Sequence, residues 1–247
     1  MIEPYEHPSW VNPRTILVDE IIARVQHHHI IRVCGTPASG KTTVMQLIAN
    51  KLLEKYGQTT QIYTMTSWDE KIVRAIGWNA HLERETGVRG DQWPSYRAYL
   101  LLDEAQQSYW DNKLWAVFFK RLAAWEGIPF VILFSSYGLP GRGFTGYGEK
   151  YIPTPMVFDA GQQISLQSDE HIEDYHSTFL PFWKPVGLLL DEDEAIDIMT
   201  RHIFAASQLS LLSADLKKQL FLFSDGHVGL LTSLVRVLEN VPVRIPL

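Results

Sequence analysis

Apolar positions follow two different rhythms along this chain. Up to about residue 167, short strand-like runs, some apolar throughout and some interleaved with polar residues, alternate with amphipathic stretches. The runs are Ile30-Ile31-Arg32-Val33-Cys34, Thr60-Gln61-Ile62-Tyr63-Thr64-Met65, Arg97-Ala98-Tyr99-Leu100-Leu101-Leu102, Phe130-Val131-Ile132-Leu133-Phe134 and Gln163-Ile164-Ser165-Leu166. Segments of this length and composition predict strands, and those apolar throughout predict strands buried on both faces of a parallel sheet. The stretches between them keep helical spacing. A helix is predicted over Asp19–His28, with Leu17, Ile21, Ile22 and Val25 on one face, and another from Thr43 to Leu53, stopped near Tyr56 by Gly57. A third covers Trp68–Ile76 and gives way to a polar stretch holding Gly87, Gly90 and Pro94. A fourth, Trp110–Trp125, carries a core stripe through Trp110, Leu114, Val117, Phe118, Leu122 and Trp125. Residues 1–15 read as irregular. From about Ser168 the rhythm becomes wholly helical, over Asp191–Phe204, Ser213–Phe223 and Val228–Leu238. Alternating strands and helices followed by an all-helical tail predict an α/β fold, a three-layer parallel sheet spanning residues 1–167 with a small helical lid over 168–247.

The turn after the first strand carries chemistry. Gly35-Thr36-Pro37-Ala38-Ser39-Gly40-Lys41-Thr42 matches G-x-x-x-x-G-K-[ST] at every fixed position, between a strand and a helix that continues with Thr43. Glycines let backbone amides curl around a β-phosphate, and the helix N-terminus adds partial positive charge. Lys41 reaches the β/γ oxygens as a point charge while the Thr42 hydroxyl ligates magnesium. The pattern predicts a P-loop site for a nucleoside triphosphate or its diphosphate product, with Mg2+.

A second half of that site lies downstream. Tyr99-Leu100-Leu101-Leu102-Asp103-Glu104 is an apolar run ending in two carboxylates, at the strand end where open α/β sheets bind ligands. Asp103 suits magnesium as a hard oxygen ligand. Glu104 stands where a base orients the attacking water, which favours hydrolysis over transfer to a substrate. In Phe134-Ser135-Ser136-Tyr137, Ser135 and Ser136 either sense the γ-phosphate or merely end a strand.

Composition narrows the setting. The 247 residues are 46% hydrophobic and 20% charged, enough for a packed core. A net charge of −6 supplies no global basic field for nucleic acid. No apolar run approaches the roughly 18 residues that cross a bilayer, and the N-terminus lacks a signal-peptide pattern. The single cysteine fits a reducing compartment, so an intracellular protein of cytoplasm or nucleus, without membrane contact, is expected. Cys34 itself reads as a small buried thiol or a redox sensor. Asp191-Glu192-Asp193-Glu194 reads as a helix start rather than a metal cluster. His27-His28-His29 reads as a helix end, because consecutive helical residues diverge. His171, Glu173, Asp174 and His176 are close in sequence but show no zinc spacing.

With these residues in view, residues 10–240 resemble the AAA+/STAND group of P-loop ATPases, the two Walker motifs carrying most of the likeness. Trp10-Val11-Asn12-Pro13-Arg14 is similar to the apolar-apolar-Gly-Arg element those proteins hold near adenine, without its glycine. The resemblance implies Val11 and Arg14 as adenine contacts. Asp225-Gly226-His227-Val228-Gly229-Leu230-Leu231 resembles the Gly-x-Pro turn of the STAND lid. Val228 replaces the proline, leaving His227 as a polar nucleotide contact or the turn as a plain helix cap. The phosphate loop, Leu-Leu-Leu-Asp-Glu-Ala-Gln and Gly-His-Val-Gly also look like the NTPase modules of fungal and oomycete Crinkler-type effectors, which implies a larger effector or signalling assembly. A homo-oligomer would need an arginine finger, for which Arg121 and Arg142 are the candidates, and Ser-Ser-Tyr stands where STAND proteins usually carry an arginine. The expected activity is magnesium-dependent hydrolysis of ATP to ADP, coupled to movement of the lid or of an oligomer. Two rivals are a nucleotide-gated switch with little turnover, and phosphoryl transfer to a substrate under Gly138–Tyr151.

Overall fold

Successive strand residues point to opposite faces of a sheet, so a strand apolar at every position needs cover on both sides. In the computed structural model, which describes residues 2–65, 69–120, 129–136, 144–145, 151–152, 155–168, 183–205 and 212–239, the strands receive it. They are β1 (Ile30–Gly35), β2 (Gln61–Met65), β3 (Ala98–Leu102), β4 (Phe130–Ser136), β5 (Phe144–Thr145), β6 (Tyr151–Ile152) and β7 (Gln163–Ile164). β5 and β6 form a separate antiparallel pair, and the other five make one all-parallel sheet in the order β2-β3-β4-β1-β7. Ile31, Val33, Tyr99, Leu101, Ile132 and Phe134 face helices α1 (Thr15–His28) and α2 (Lys41–Tyr56). Ile30, Leu100, Leu102, Val131 and Leu133 face the opposite way. There they meet Trp78 and Leu82 of α4 (Trp78–Thr86), which follows α3 (Glu70–Ile76), and a π-helical turn over Leu114–Phe119. Burying each such aliphatic side chain stabilises the sheet by roughly 1.5–3 kcal/mol. The result is a three-layer α/β fold built on an all-parallel sheet.

Three further helices, α5 (Glu192–Ala205), α6 (Ala214–Ser224) and α7 (Val228–Glu239), surround a second core of Leu190, Ala195, Ile198, Met199, Leu220, Leu231 and Val235. Trp10, from the N-terminal segment, packs against it. The acidic run opens α5 as a reciprocal cap. Asp191 Oδ1 accepts from the Glu194 amide at 2.7 Å, and Glu194 Oε2 accepts from the Asp191 amide at 3.3 Å.

The largest differences between the sequence reading and the structure lie in three helical segments. α1 starts at Thr15 rather than Asp19, because Arg14 is held left-handed (φ 45°) ahead of a turn that has no polar side-chain cap to announce it. α4 is absent from the reading. Its buried Trp78, His81 and Leu82 keep helical spacing, but the glycines bounding it, Gly77 (φ 80°) and Gly87 (φ 73°), make the segment look like loop. In the Trp110–Trp125 stretch the buried side chains are Leu114, Trp115, Phe118 and Phe119, while Val117 is 50% exposed. A π turn is wider than an α turn and rotates the inward face away from the α spacing. Leu122 and Trp125 lie outside the described residues.

The histidine run ends α1 as expected. His29 adopts the left-handed cap (φ 62°) and its amide donates to Val25 O. The His27 and His28 rings each lie 5.5 Å from that of Trp183. Burial, aided by His27 and opposed by Asp159, lowers the His28 pKa from 6.5 to about 4. The unfolded chain therefore takes up a proton near pH 6.5 that the folded chain refuses until about pH 4. The stability contributed by neutral His28 is complete above pH 6.5 and lost as pH falls through that window, by about 1–2 kcal/mol after allowance for partial exposure. Thermal unfolding from pH 7 to pH 4.5 should show a steeper decline for the wild-type chain than for His28→Phe, which keeps the Trp183 contact without the titration. Equal declines would refute it.

Among the described residues no group of three His, Cys, Asp or Glu side chains is placed to hold a metal, and no helix is long and apolar enough to cross a membrane. His171, Glu173, Asp174 and His176 lie outside the described residues.

Candidate nucleotide site

Because β4 inserts between β1 and β3, the carboxyl ends of these strands meet. Gly35 stands in register with Ser136, and Leu102 with Leu133. The loop leaving β1 is tightly wound, with Ala38 at φ 59° and Gly40 at φ 86°. A Cβ on Gly35 would collide with Ser39 Oγ and come within 2.6 Å of Leu188 Cδ1, so close packing favours glycine there. α2 begins at Lys41, directing its first-turn amides towards the loop's concavity.

Lys41 is buried, its Nζ donating to Thr36 O at 2.8 Å and Gly35 O at 3.2 Å. Burial draws its pKa below the usual lysine range, opposed by the Glu104 and Asp103 carboxylates. Thr42 Oγ1 donates to Asp103 Oδ2 at 2.6 Å, and the Glu104 amide donates to Asp103 Oδ1 at 2.9 Å. Glu104 itself is left-handed (φ 51°, ψ 36°). Its Oε2 accepts from Gln106 Nε2 and its Oε1 from Ser136 Oγ at 3.2 Å. Gln106 Oε1 in turn accepts from the Ser136 amide at 2.9 Å.

Lys41, Thr42, Glu104 and Ser136 border a cavity of about 570 Å³. Pro37 to Val44, Glu104 and Ser136 line it together with the apolar side chains of Trp10, Val11, Leu47, Leu190 and Ile198. The first turn of α7 closes over the loop. Val228 Cγ1 would lie 3.1 Å from a Cβ on Gly40, and a Cβ on Gly229 would come within 2.6 Å of Ala38 Cβ and Ala38 O. His227 Nδ1 accepts from the Leu230 amide at 3.3 Å, so a neutral ring carries its proton on Nε2 and donates to Thr36 Oγ1 at 2.9 Å.

The sequence-derived residues are distributed as follows. Pro37, Ala38, Ser39, Gly40, Lys41, Thr42, Thr43, Glu104, Val11 and Arg14 line the cavity. Gly35, Thr36 and Asp103 touch those that do, and His227 touches Thr36, through the contacts above. Ser135 does not join them. Its side chain is fully buried, with Oγ 3.2 Å from Cys34 Sγ, and Ser136 is the serine of the pair that reaches the cavity, since neighbouring strand residues face opposite ways. Arg14 lines the cavity but is engaged elsewhere. It donates to the carbonyls of Gly187, Leu188 and Leu189 and pairs with Glu194 at 3.0 Å. Arg142 and Arg121 lie outside the described residues. The sequence reading omitted Gln106 and Gly229 as site residues, and Trp10 as cavity wall. Gln106 is two positions beyond the carboxylate pair, and only its pairing with Ser136 marks it.

The donor set fits a nucleotide with its metal. Ser39 Oγ is buried beside the loop without a hydrogen-bond partner among the described residues, a position a phosphate oxygen would satisfy. Thr42 Oγ1 and the Asp103 carboxylate are the hard oxygen ligands that magnesium prefers.

No protein-family model matches the chain, and no curated protein is similar to it. Among solved structures it is similar to the Walker-type ATPase PABY2304 of Pyrococcus abyssi, with 11% identity and a TM-score of 0.47 over 96% of this chain and 71% of that one. It is also similar to PCH-2 of C. elegans, with 11% identity and a TM-score of 0.36 over 81% of this chain and 48% of that one.

Proposed function

We propose that this chain is a magnesium-dependent ATP hydrolase of the AAA+/STAND type. The observation that carries the reading is the Glu104 carboxylate, held at both oxygens on the cavity wall beside the Thr42–Asp103 pair. The loop amides and Lys41 bind the β- and γ-phosphates, and the apolar wall by Trp10 and Val11 accepts the base. Magnesium, held by Thr42 and Asp103, would neutralise charge on the phosphate oxygens. Glu104 orients the attacking water for in-line displacement and takes its proton. The α7 turn, resting on Ala38 and joined to Thr36 through His227, moves with the state of the loop, so each turnover shifts the C-terminal helices as a lid. Among the described residues, Lys41 and Arg14 are the cations lining the cavity, and Arg14 is already committed. That favours a further cation from a second copy and a homo-oligomeric or larger signalling assembly as the working form.

The test is phosphate release from ATP and GTP with magnesium, across protein concentrations, for wild type and Glu104→Gln. Release should fall at least about a hundredfold in the variant while nucleotide remains bound. Specific activity should rise with concentration. Turnover unaffected by Glu104→Gln would sink the hydrolase reading in favour of phosphoryl transfer. An engaged Glu104 also suits a slowly cycling nucleotide switch, and bound nucleotide with no measurable release would favour that alternative.

A further inference from the structure

A carboxylate that orients water must be aimed. Glu104 sits in a left-handed conformation that side-chained residues adopt at a cost, and its side chain is held by hydrogen bonds at both oxygens. Two contacts hold it, and they differ in kind. Ser136, whose Oγ donates to Glu104 Oε1, lines the cavity. Gln106 is 4% exposed and absent from the cavity wall. The chemistry of its neighbours fixes which way its amide faces. The Ser136 amide can only donate, so Oε1 must face it; a carboxylate can only accept, so Nε2 must face Glu104. An apolar residue fills neither role, and glutamate would set an acceptor against an acceptor.

Gln106 thus ties the end of β4 to one oxygen of Glu104, while the other oxygen rests on a hydroxyl that ligand can recruit. We infer that Gln106 is the positioning residue of this site, holding Glu104 Oε2 throughout the cycle so that Oε1 alone is presented to water once Ser136 turns to the nucleotide. The inference rests on the reading of Glu104 as the water-orienting group.

The experiment compares full-length wild type, Gln106→Met, Gln106→Glu, Glu104→Gln and the double variant Gln106→Met/Glu104→Gln. Steady-state ATP hydrolysis, fluorescent ATP-analogue affinity and thermal midpoint are measured for each. Gln106→Met, close in volume but unable to make either bond, should lower kcat about ten- to a hundredfold, with KM and nucleotide affinity within about twofold. Gln106→Glu should lower kcat at least as far. The double variant should be no slower than Glu104→Gln alone, because the effect of Gln106 on turnover runs through that carboxylate. Unchanged kcat in Gln106→Met overturns the assignment, as does a loss matched by lost nucleotide affinity or a further loss in the double variant. Should Gln106→Met not fold, Gln106→Glu decides by the same criteria. A wild type without turnover, or an active Glu104→Gln, overturns the hydrolase reading and this inference with it. Turnover that dies in Glu104→Gln yet survives in both Gln106 variants overturns this inference alone.

Discussion

Replacement of Lys41 by alanine is expected to abolish nucleotide binding and turnover together, lowering kcat/KM by about 10³–10⁴, or about 4–5.5 kcal/mol of transition-state stabilisation. The ammonium rests on two carbonyls of its own loop and is drawn below its ordinary pKa by burial. A triphosphate offers that buried charge better partners than Gly35 O and Thr36 O, and it relieves the desolvation that now disfavours protonation. No other described side chain can take over, because Arg14 has its donors on Gly187, Leu188, Leu189 and Glu194. Lys41→Arg should rescue little, since a planar fork cannot retrace the path of a point charge through so narrow a loop. Calorimetric titration with magnesium ATP, alongside phosphate release, reads both quantities. Binding within tenfold of wild type in Lys41→Ala would mean that the loop is not the phosphate site.

Arg14→Met should destabilise the fold by about 3–5 kcal/mol, the usual cost of leaving a buried ion pair and its carbonyl partners without their donor. Arg14 is 8% exposed and joins three parts of the chain: the entry to α1, the 187–189 segment and, through Glu194, the start of α5. Denaturant unfolding should show the loss in full, with early release of the C-terminal helices. An adenine-contacting arginine would behave differently, raising KM and leaving the unfolding midpoint unchanged. Stability measured without nucleotide separates the two roles.

That contrast marks how far the sequence was legible. The phosphate loop could be read because its function constrains consecutive residues: glycines for the turn, Lys41 and Thr42 at its end. Asp103 and Glu104 could be read because an apolar strand ending in two carboxylates is a local pattern. The strands could be read because burial on both faces leaves continuous apolar runs, as in Ala98–Leu102. What escaped was relational. Arg14 reads as a ligand contact from its place in a motif, and only the carbonyls around it make it a strut. Ser135 and Ser136 are indistinguishable until the strand's pleat sends one to Cys34 and the other to Glu104. Gln106 has no signature in sequence, since its partners lie in two different segments. α4 escaped for another reason, as its bounding glycines are equally the punctuation of loops.

The positive backbone angles carry a last consequence. Among the described residues, five other than glycine have positive φ, and three of these, Arg14 (45°), Ala38 (59°) and Glu104 (51°), line the same cavity. Each forgoes roughly 1–2 kcal/mol of backbone preference that glycine would restore. The landscape of this chain is therefore locally frustrated around its ligand pocket, while the sheet and the helices agree with their sequence. At Arg14 the contacts of the guanidinium outweigh that gain, so drift towards greater heat resistance would find its shorter steps at Ala38 and Glu104. The step at Glu104 would delete the carboxylate, so robustness and chemistry pull the sequence in opposite directions there.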